Sequence, residues 1–161
     1  MVRKGPTDED RLEAQRRLLV GLAAGVDVFD LSDAPLDLHP RNDTFPGEVF
    51  MRLGADTLAI AGFTRDEPLP YEGLRETYLS ECEFKGRENR KIQFALLSCA
   101  ALHGGLKPDL LDEVAWWRTD DFWRYSLLAA VALIRACADR QGVPVPELAH
   151  RLADHLGIEV E

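Results

Sequence analysis

The sequence predicts an all-α fold, an irregular bundle of about seven helices around one buried helix at about 119–141. The first observation is that residues 127–134 include no polar side chain, so a helix there is apolar on every side and must be buried by its neighbours. The second is that most other apolar residues recur every three or four positions, which is the period of an amphipathic helix. The third is that no segment shows the sustained alternation of a β-strand.

The first two predicted helices have recognisable starts and ends. One covers about 8–25, where Thr7 precedes an acidic first turn and leucines follow at helical spacing. The second begins at Pro46, because proline is favoured at the first helical position, and it ends near Gly62.

Gly86 divides the next predicted pair of helices. The third helix covers about 70–85, with Gly86 as its C-terminal cap, and the fourth covers 87–103. Phe94, Leu97 and Ala101 broaden the apolar face of the fourth helix. We therefore expect the fourth helix to be largely buried beyond its first turn.

Three further helices complete the predicted bundle. A short helix covers 108–117, and the buried helix follows it from Thr119, which can cap its N-terminus with two aspartates behind. Gly142 ends the buried helix. The last helix covers 145–156, with leucines four residues apart.

The rest of the chain has no helical period. We expect residues 1–6 to be disordered and residues 27–45, called the strap below, to form a long loop within a single domain over 1–161. A loop of that length usually either wraps its own domain or binds something. The strap is therefore expected either to pack over the bundle or to reach a partner.

The amino-acid composition narrows the classes of function that the chain can have. A hydrophobic fraction of 46% predicts a folded core, and a net charge of −9 disfavours nucleic-acid binding, which needs a basic face. No segment has the length of a membrane span, so we expect no membrane. Cys82, Cys99 and Cys137 lie within helical apolar patterns, so we expect free buried thiols and a cytoplasmic location.

A charged cluster surrounds the start of the fourth predicted helix. Arg87 and Arg90 lie in its first turn, where cations oppose the helix dipole. One interpretation is an internal ion-pair network with three glutamates nearby, Glu81, Glu83 and Glu88. The other is that the arginines hold an anionic ligand at the helix end.

All three tryptophans lie close together around the start of the buried helix. Trp116, Trp117 and Trp123, called the Trp-rich corner below, are followed by Arg124, which could stack on a ring. One interpretation is that the rings fill the corner between two helices. The other is a ligand wall or a partner-binding hot spot, where Trp and Arg are enriched.

Motifs for catalysis and metal binding are missing. The sequence has no nucleophile elbow and no glycine-rich phosphate loop, and we expect no cofactor. Glu147 and His150 form a single Glu-x-x-His pair, whereas bundle di-metal sites use that motif twice, so we expect no metal. His103, at the end of its helix, suits a capping or half-buried role.

Two hypotheses follow. The first is a non-enzymatic cytoplasmic interaction module that forms a homodimer or docks a protein partner through the Trp-rich corner or the strap. The second is a ligand-binding or catalytic helical protein with a pocket between the starts of the fourth helix and the buried helix. In it, Arg87 and Arg90 would hold a small anion, the tryptophans would form walls, and a nearby glutamate would supply acid/base chemistry.

Overall fold

A computed structural model describes residues 8–25, 45–63, 71–79, 86–104 and 122–159, and in these ranges all regular structure is helical, with no strand. The all-α prediction is confirmed for this part of the chain. Its helices are α1 (Asp8–Ala23), α2 (Phe45–Ile60), α3 (Tyr71–Tyr78), α4 (Arg87–His103), α5 (Phe122–Gln141) and α6 (Val145–Leu156).

Several expectations fall outside the described residues. They are the terminal segment 1–6, the strap up to residue 44, and the short helix over 108–117. The last residue of the predicted strap, Phe45, is instead the first residue of α2. The count of seven helices and their arrangement around one central helix stay predictions.

The third predicted helix is described only in its first part, because residues 80–85 lie outside the described residues. α3 ends at Tyr78, and the chain bends at Leu79, whose side chain is fully buried. The Arg135 guanidinium donates a 2.7 Å hydrogen bond to the Tyr78 carbonyl, which satisfies that acceptor outside the helix. Gly86 has φ 58° and directly precedes α4, and its role as the cap of the third helix stays a prediction.

α5 supplies a large share of the described core. Ten consecutive residues, 125–134, are buried, as the absence of polar side chains over 127–134 predicts. α5 packs on α2 most extensively and also contacts α3, α4 and α6. None of the helices in the described ranges is both long enough and apolar enough to cross a membrane.

Helices α2, α4 and α5 run in the same direction. Near their starts, the Lys91 ammonium of α4 lies 5.3 Å from the Tyr125 ring centroid of α5. Near their ends, Phe63, three residues beyond α2, accepts a hydrogen bond from His103 of α4 and stacks on Arg140 of α5. Parallel neighbours require long returning connections, and the long segments between these helices provide them.

The three parallel helices approach most closely at Gly54. A Cβ atom added at this position of α2 would lie 2.6 Å from the Cys99 sulfur of α4 and 3.1 Å from Leu133 Cδ1 of α5. These distances are shorter than van der Waals contact. The lack of a side chain at Gly54 therefore lets α2 pack against both neighbours at once.

The last helix folds back after a tight turn. Gly142 has φ 68°, and the Val143 amide donates to the Ala138 carbonyl at 3.0 Å, which closes the end of α5. α6 then packs mainly on α1, with the fully buried Leu148 and Leu152 on its inner face.

Candidate functional site

The start of α4 presents two exposed arginines. Gly86 precedes the helix and has no side chain to cap it. Arg87 and Arg90 are exposed, whereas Glu88 is half-buried. Within the described ranges, no ion pair joins Glu88 to either arginine. An ion-pair network with Glu81 and Glu83 stays a prediction, because both glutamates lie outside the described residues.

The side of α4 that points away from the core is partly apolar. Arg90 and Leu97 are two turns apart on this side, with Arg87 one turn before Arg90. Leu97 is 42% exposed, the largest exposure of any large hydrophobic side chain in the described part of the chain, whereas the neighbouring Phe94 is half-buried and packs against the core. We call Arg87, Arg90 and Leu97 the outward face of α4.

Beyond the first turn of α4, the described side chains are buried or half-buried apart from Gln93 and Leu97, so the helix is largely buried as expected and Leu97 is an exception. Ile92, Leu96 and Cys99 lie on the opposite side and are fully buried against the core. Leu97 lies on a different side of the helix and stays 42% exposed.

The starts of α4 and α5 lie side by side. The contact between Lys91 and Tyr125 is a cation–π pair, and Tyr125 is only 3% exposed. Trp123 and Arg124 occupy the first turn of α5, two and one residues before Tyr125. This contact places the start of α4 beside the start of α5, and the pocket between them stays a prediction.

The remaining predicted site residues are not placed. Trp116 and Trp117 lie outside the described residues, and of Trp123 and Arg124 only the helical backbone is described. Convergence of the tryptophans with Arg87 and Arg90 on one concavity thus stays a prediction.

At the opposite end of the parallel helices is a polar cluster that sequence patterns did not indicate. The His103 Nε2 group donates to the Phe63 carbonyl at 3.0 Å, and the Arg140 guanidinium carbon lies 3.9 Å from the Phe63 ring centroid. Gln141 donates to the Ile60 carbonyl at 3.2 Å. His103 is half-buried and caps, as expected, but it caps the end of α2 rather than of its own helix.

The described thiols are poor nucleophiles. Cys99 and Cys137 are free and buried, and burial raises the pKa of each thiol to about 12. Both stay protonated at neutral pH, and the thiolate is the reactive form. The third cysteine, Cys82, lies outside the described residues.

The glutamate of the Glu-x-x-His pair considered for a metal has a different partner. Glu147 accepts a 3.0 Å hydrogen bond from Arg151 one turn later. Among the described side chains, no group of three or more His, Cys, Asp or Glu residues is arranged to hold a metal ion.

Comparison with other proteins gives no relationship to argue from: the chain matches no protein-family model, no curated protein and no solved structure. The function proposed below therefore depends on the site geometry alone.

Proposed function

We propose that this chain is an all-α interaction module that self-associates or docks a protein partner at the surface where α4 and α5 begin. The observation that carries the proposal is the outward face of α4, where an exposed leucine follows two exposed arginines. Isolated exposed apolar residues are common on protein surfaces. Here, however, Leu97 lies on the same side of α4 as the exposed Arg87 and Arg90.

The wider predictions fit this proposal. The Trp-rich corner would extend the contact surface along the start of α5, and the strap would contribute a second contact region. We further propose that the whole chain is one bundle of seven helices around α5. The free thiols of Cys99 and Cys137 support a reducing, cytoplasmic location.

Sedimentation equilibrium from sub-micromolar to high-micromolar concentration tests the proposal. We expect Leu97→Ser and Trp123→Ala to weaken association of the folded chain. His150→Ser, at an exposed residue of α6, is the control and should leave association unchanged. Unfolding of the Trp123→Ala monomer would show that this ring is core, since truncating a buried Trp costs about 3–5 kcal/mol.

The competing function is a small-anion site between the starts of α4 and α5. The contact of Lys91 with Tyr125 favours it, because it brings two parallel helix N-termini to one end of the bundle. Helix N-termini attract anions through their free N–H groups and dipoles. A thermal-shift screen of anionic metabolites tests this function, and loss of any shift in Arg87→Gln/Arg90→Gln would support it.

A further inference from the structure

The outward face of α4 has a charge opposite to that of the chain. The chain contains 28 acidic and 19 basic residues, yet α4 carries Arg87, Arg90 and Lys91 against one carboxylate, Glu88. That carboxylate is half-buried, and both arginines are exposed. Their position in the first turn is also electrostatically unfavourable, because the positive end of the helix dipole lies there.

These charges select the chemistry of a partner. Carboxylates placed near Arg87 and Arg90 would pair with both guanidinium groups and with the N-terminal end of α4. An apolar side chain placed further along would cover Leu97. The complementary surface is therefore acidic at one end and apolar at the other.

The size of the face indicates a small partner element. Arg87 and Leu97 are ten residues apart, which is about 15 Å along a helix of about 10 Å diameter. A stable interface between two globular chains buries about 800 Å² on each partner, far more than this strip offers. One short helix fits the strip, whereas a second copy of the whole chain needs additional surface.

The dipoles of α4 and of a partner helix favour one orientation of the partner relative to α4. A partner helix antiparallel to α4 places its negative C-terminal end beside Arg87 and Arg90. Its apolar anchor then precedes its carboxylates. In matched register, an anchor opposite Leu97 is followed by carboxylates seven and ten residues later, opposite Arg90 and Arg87.

We propose that the outward face of α4 docks a short acidic amphipathic helix of another protein, antiparallel to α4, with an apolar anchor on Leu97 and carboxylates on Arg90 and Arg87. This inference rests on the proposed function as an interaction module and specifies the partner's chemistry. Because the contact is small, binding is transient and sensitive to salt.

The test is fluorescence anisotropy with a labelled, end-capped helical peptide of about five turns. Its leucine lies in the second turn, and two glutamates follow at the spacing given above. The control peptide has the same composition with the order reversed, so that the glutamates come first. We expect the antiparallel design to bind and the reversed peptide to bind several-fold more weakly.

Variants of the chain locate the binding surface. Arg87→Gln/Arg90→Gln should weaken peptide binding about tenfold, as expected for the loss of two exposed ion pairs. Leu97→Ala should weaken it several-fold. The matched control is Arg17→Gln/Arg151→Gln, which removes the same charge from exposed ion pairs on α1 and α6 and should leave binding unchanged.

Three outcomes would overturn this inference. They are equal binding of the two peptides, an equal loss with Arg17→Gln/Arg151→Gln, and no binding of either peptide. Self-association that depends on Leu97 would keep the proposed function while overturning the inference, because the occupant would be a second copy. Circular dichroism of each variant confirms that the helices are intact.

Discussion

The close approach of three helices at Gly54 can be tested by adding a single methyl group. In Gly54→Ala, the new Cβ would meet the Cys99 sulfur at 2.6 Å and Leu133 Cδ1 at 3.1 Å. Cys99 is itself fully buried, so its sulfur has little room to move away. The substitution therefore forces either the side chain or the α2–α4 spacing to change.

Two opposing contributions set the expected magnitude. Alanine is favoured over glycine inside a helix by about 1 kcal/mol. Overpacking a filled core costs about 1–3 kcal/mol. We therefore expect Gly54→Ala to lower the free energy of unfolding by about 0–2 kcal/mol, the difference between the two contributions.

A double-mutant cycle with Cys99→Ala isolates the steric contribution. Alone, Cys99→Ala should destabilise the chain because it leaves a cavity. In its presence, Gly54→Ala should cost much less, since the sulfur at 2.6 Å is gone while the contact with Leu133 and the helix preference remain. The coupling between the two substitutions should reach about 1–3 kcal/mol.

Urea unfolding followed by circular dichroism provides the four free energies. In the otherwise unchanged chain, Gly54→Ala should not raise the free energy of unfolding by the full amount, about 1 kcal/mol, by which alanine is favoured over glycine in a helix. If it did, or if the two substitutions were additive, the close packing of α2 on α4 at this point would be refuted.

Three further predictions concern polar and ionisable groups. Arg135→Gln should lower the free energy of unfolding by about 1.5–3 kcal/mol, because the Tyr78 carbonyl loses a charged donor. Arg135→Lys keeps a charged donor, so a thermal melt should show a smaller loss of stability for it than for Arg135→Gln. Burial, reinforced by a 2.7 Å hydrogen bond to Asp139, raises the pKa of Tyr78 to about 12. Since an unfolded tyrosine titrates near 10, this stabilisation is complete below about pH 10 and is lost as the pH rises toward 12, so the alkaline decline in stability should be smaller in Tyr78→Phe. Cys99 and Cys137 should react with a thiol reagent at pH 8 only after unfolding, and rapid labelling of either in the native state would contradict their burial.

The sequence predicts best those elements whose composition leaves few alternatives. The apolar run at 127–134 has no polar side to present to solvent, and it is buried throughout. Glycines at the ends of α5 and α6, Gly142 and Gly157, have positive φ, as a C-terminal cap requires. In these cases local chemistry alone determines the structure.

Features that depend on distant residues could not be predicted. Arg135, 57 residues later, donates to the Tyr78 carbonyl at the end of α3, and His103 donates to a carbonyl 40 residues earlier. Helical periodicity shows which side of a helix is apolar, but not which neighbour covers it. The exposure of Leu97 escaped prediction for that reason.

In the candidate site, too, local sequence predicts some features, whereas others depend on residues far away in the chain. The exposure of Arg87 and Arg90 follows from their place in the first turn of an amphipathic helix. The neighbourhood of Lys91 and Tyr125 depends on how α4 and α5 pack, which no local pattern encodes. Whether the tryptophans join the arginines is a question of the same kind.

The parallel course of α2, α4 and α5 also bears on how the chain is made. α2 packs most extensively on α5, yet 81 residues separate Ile60 from Gln141. At about 5–20 residues per second, a ribosome takes about 4–16 s to synthesise that interval. During this time the nascent chain carries the apolar sides of α2 and α4 without the helix that covers them. Chaperones can bind such a chain until α5 emerges. The rate at which it folds during synthesis is therefore limited by translation and not by the fast pairing of helices that are adjacent in sequence.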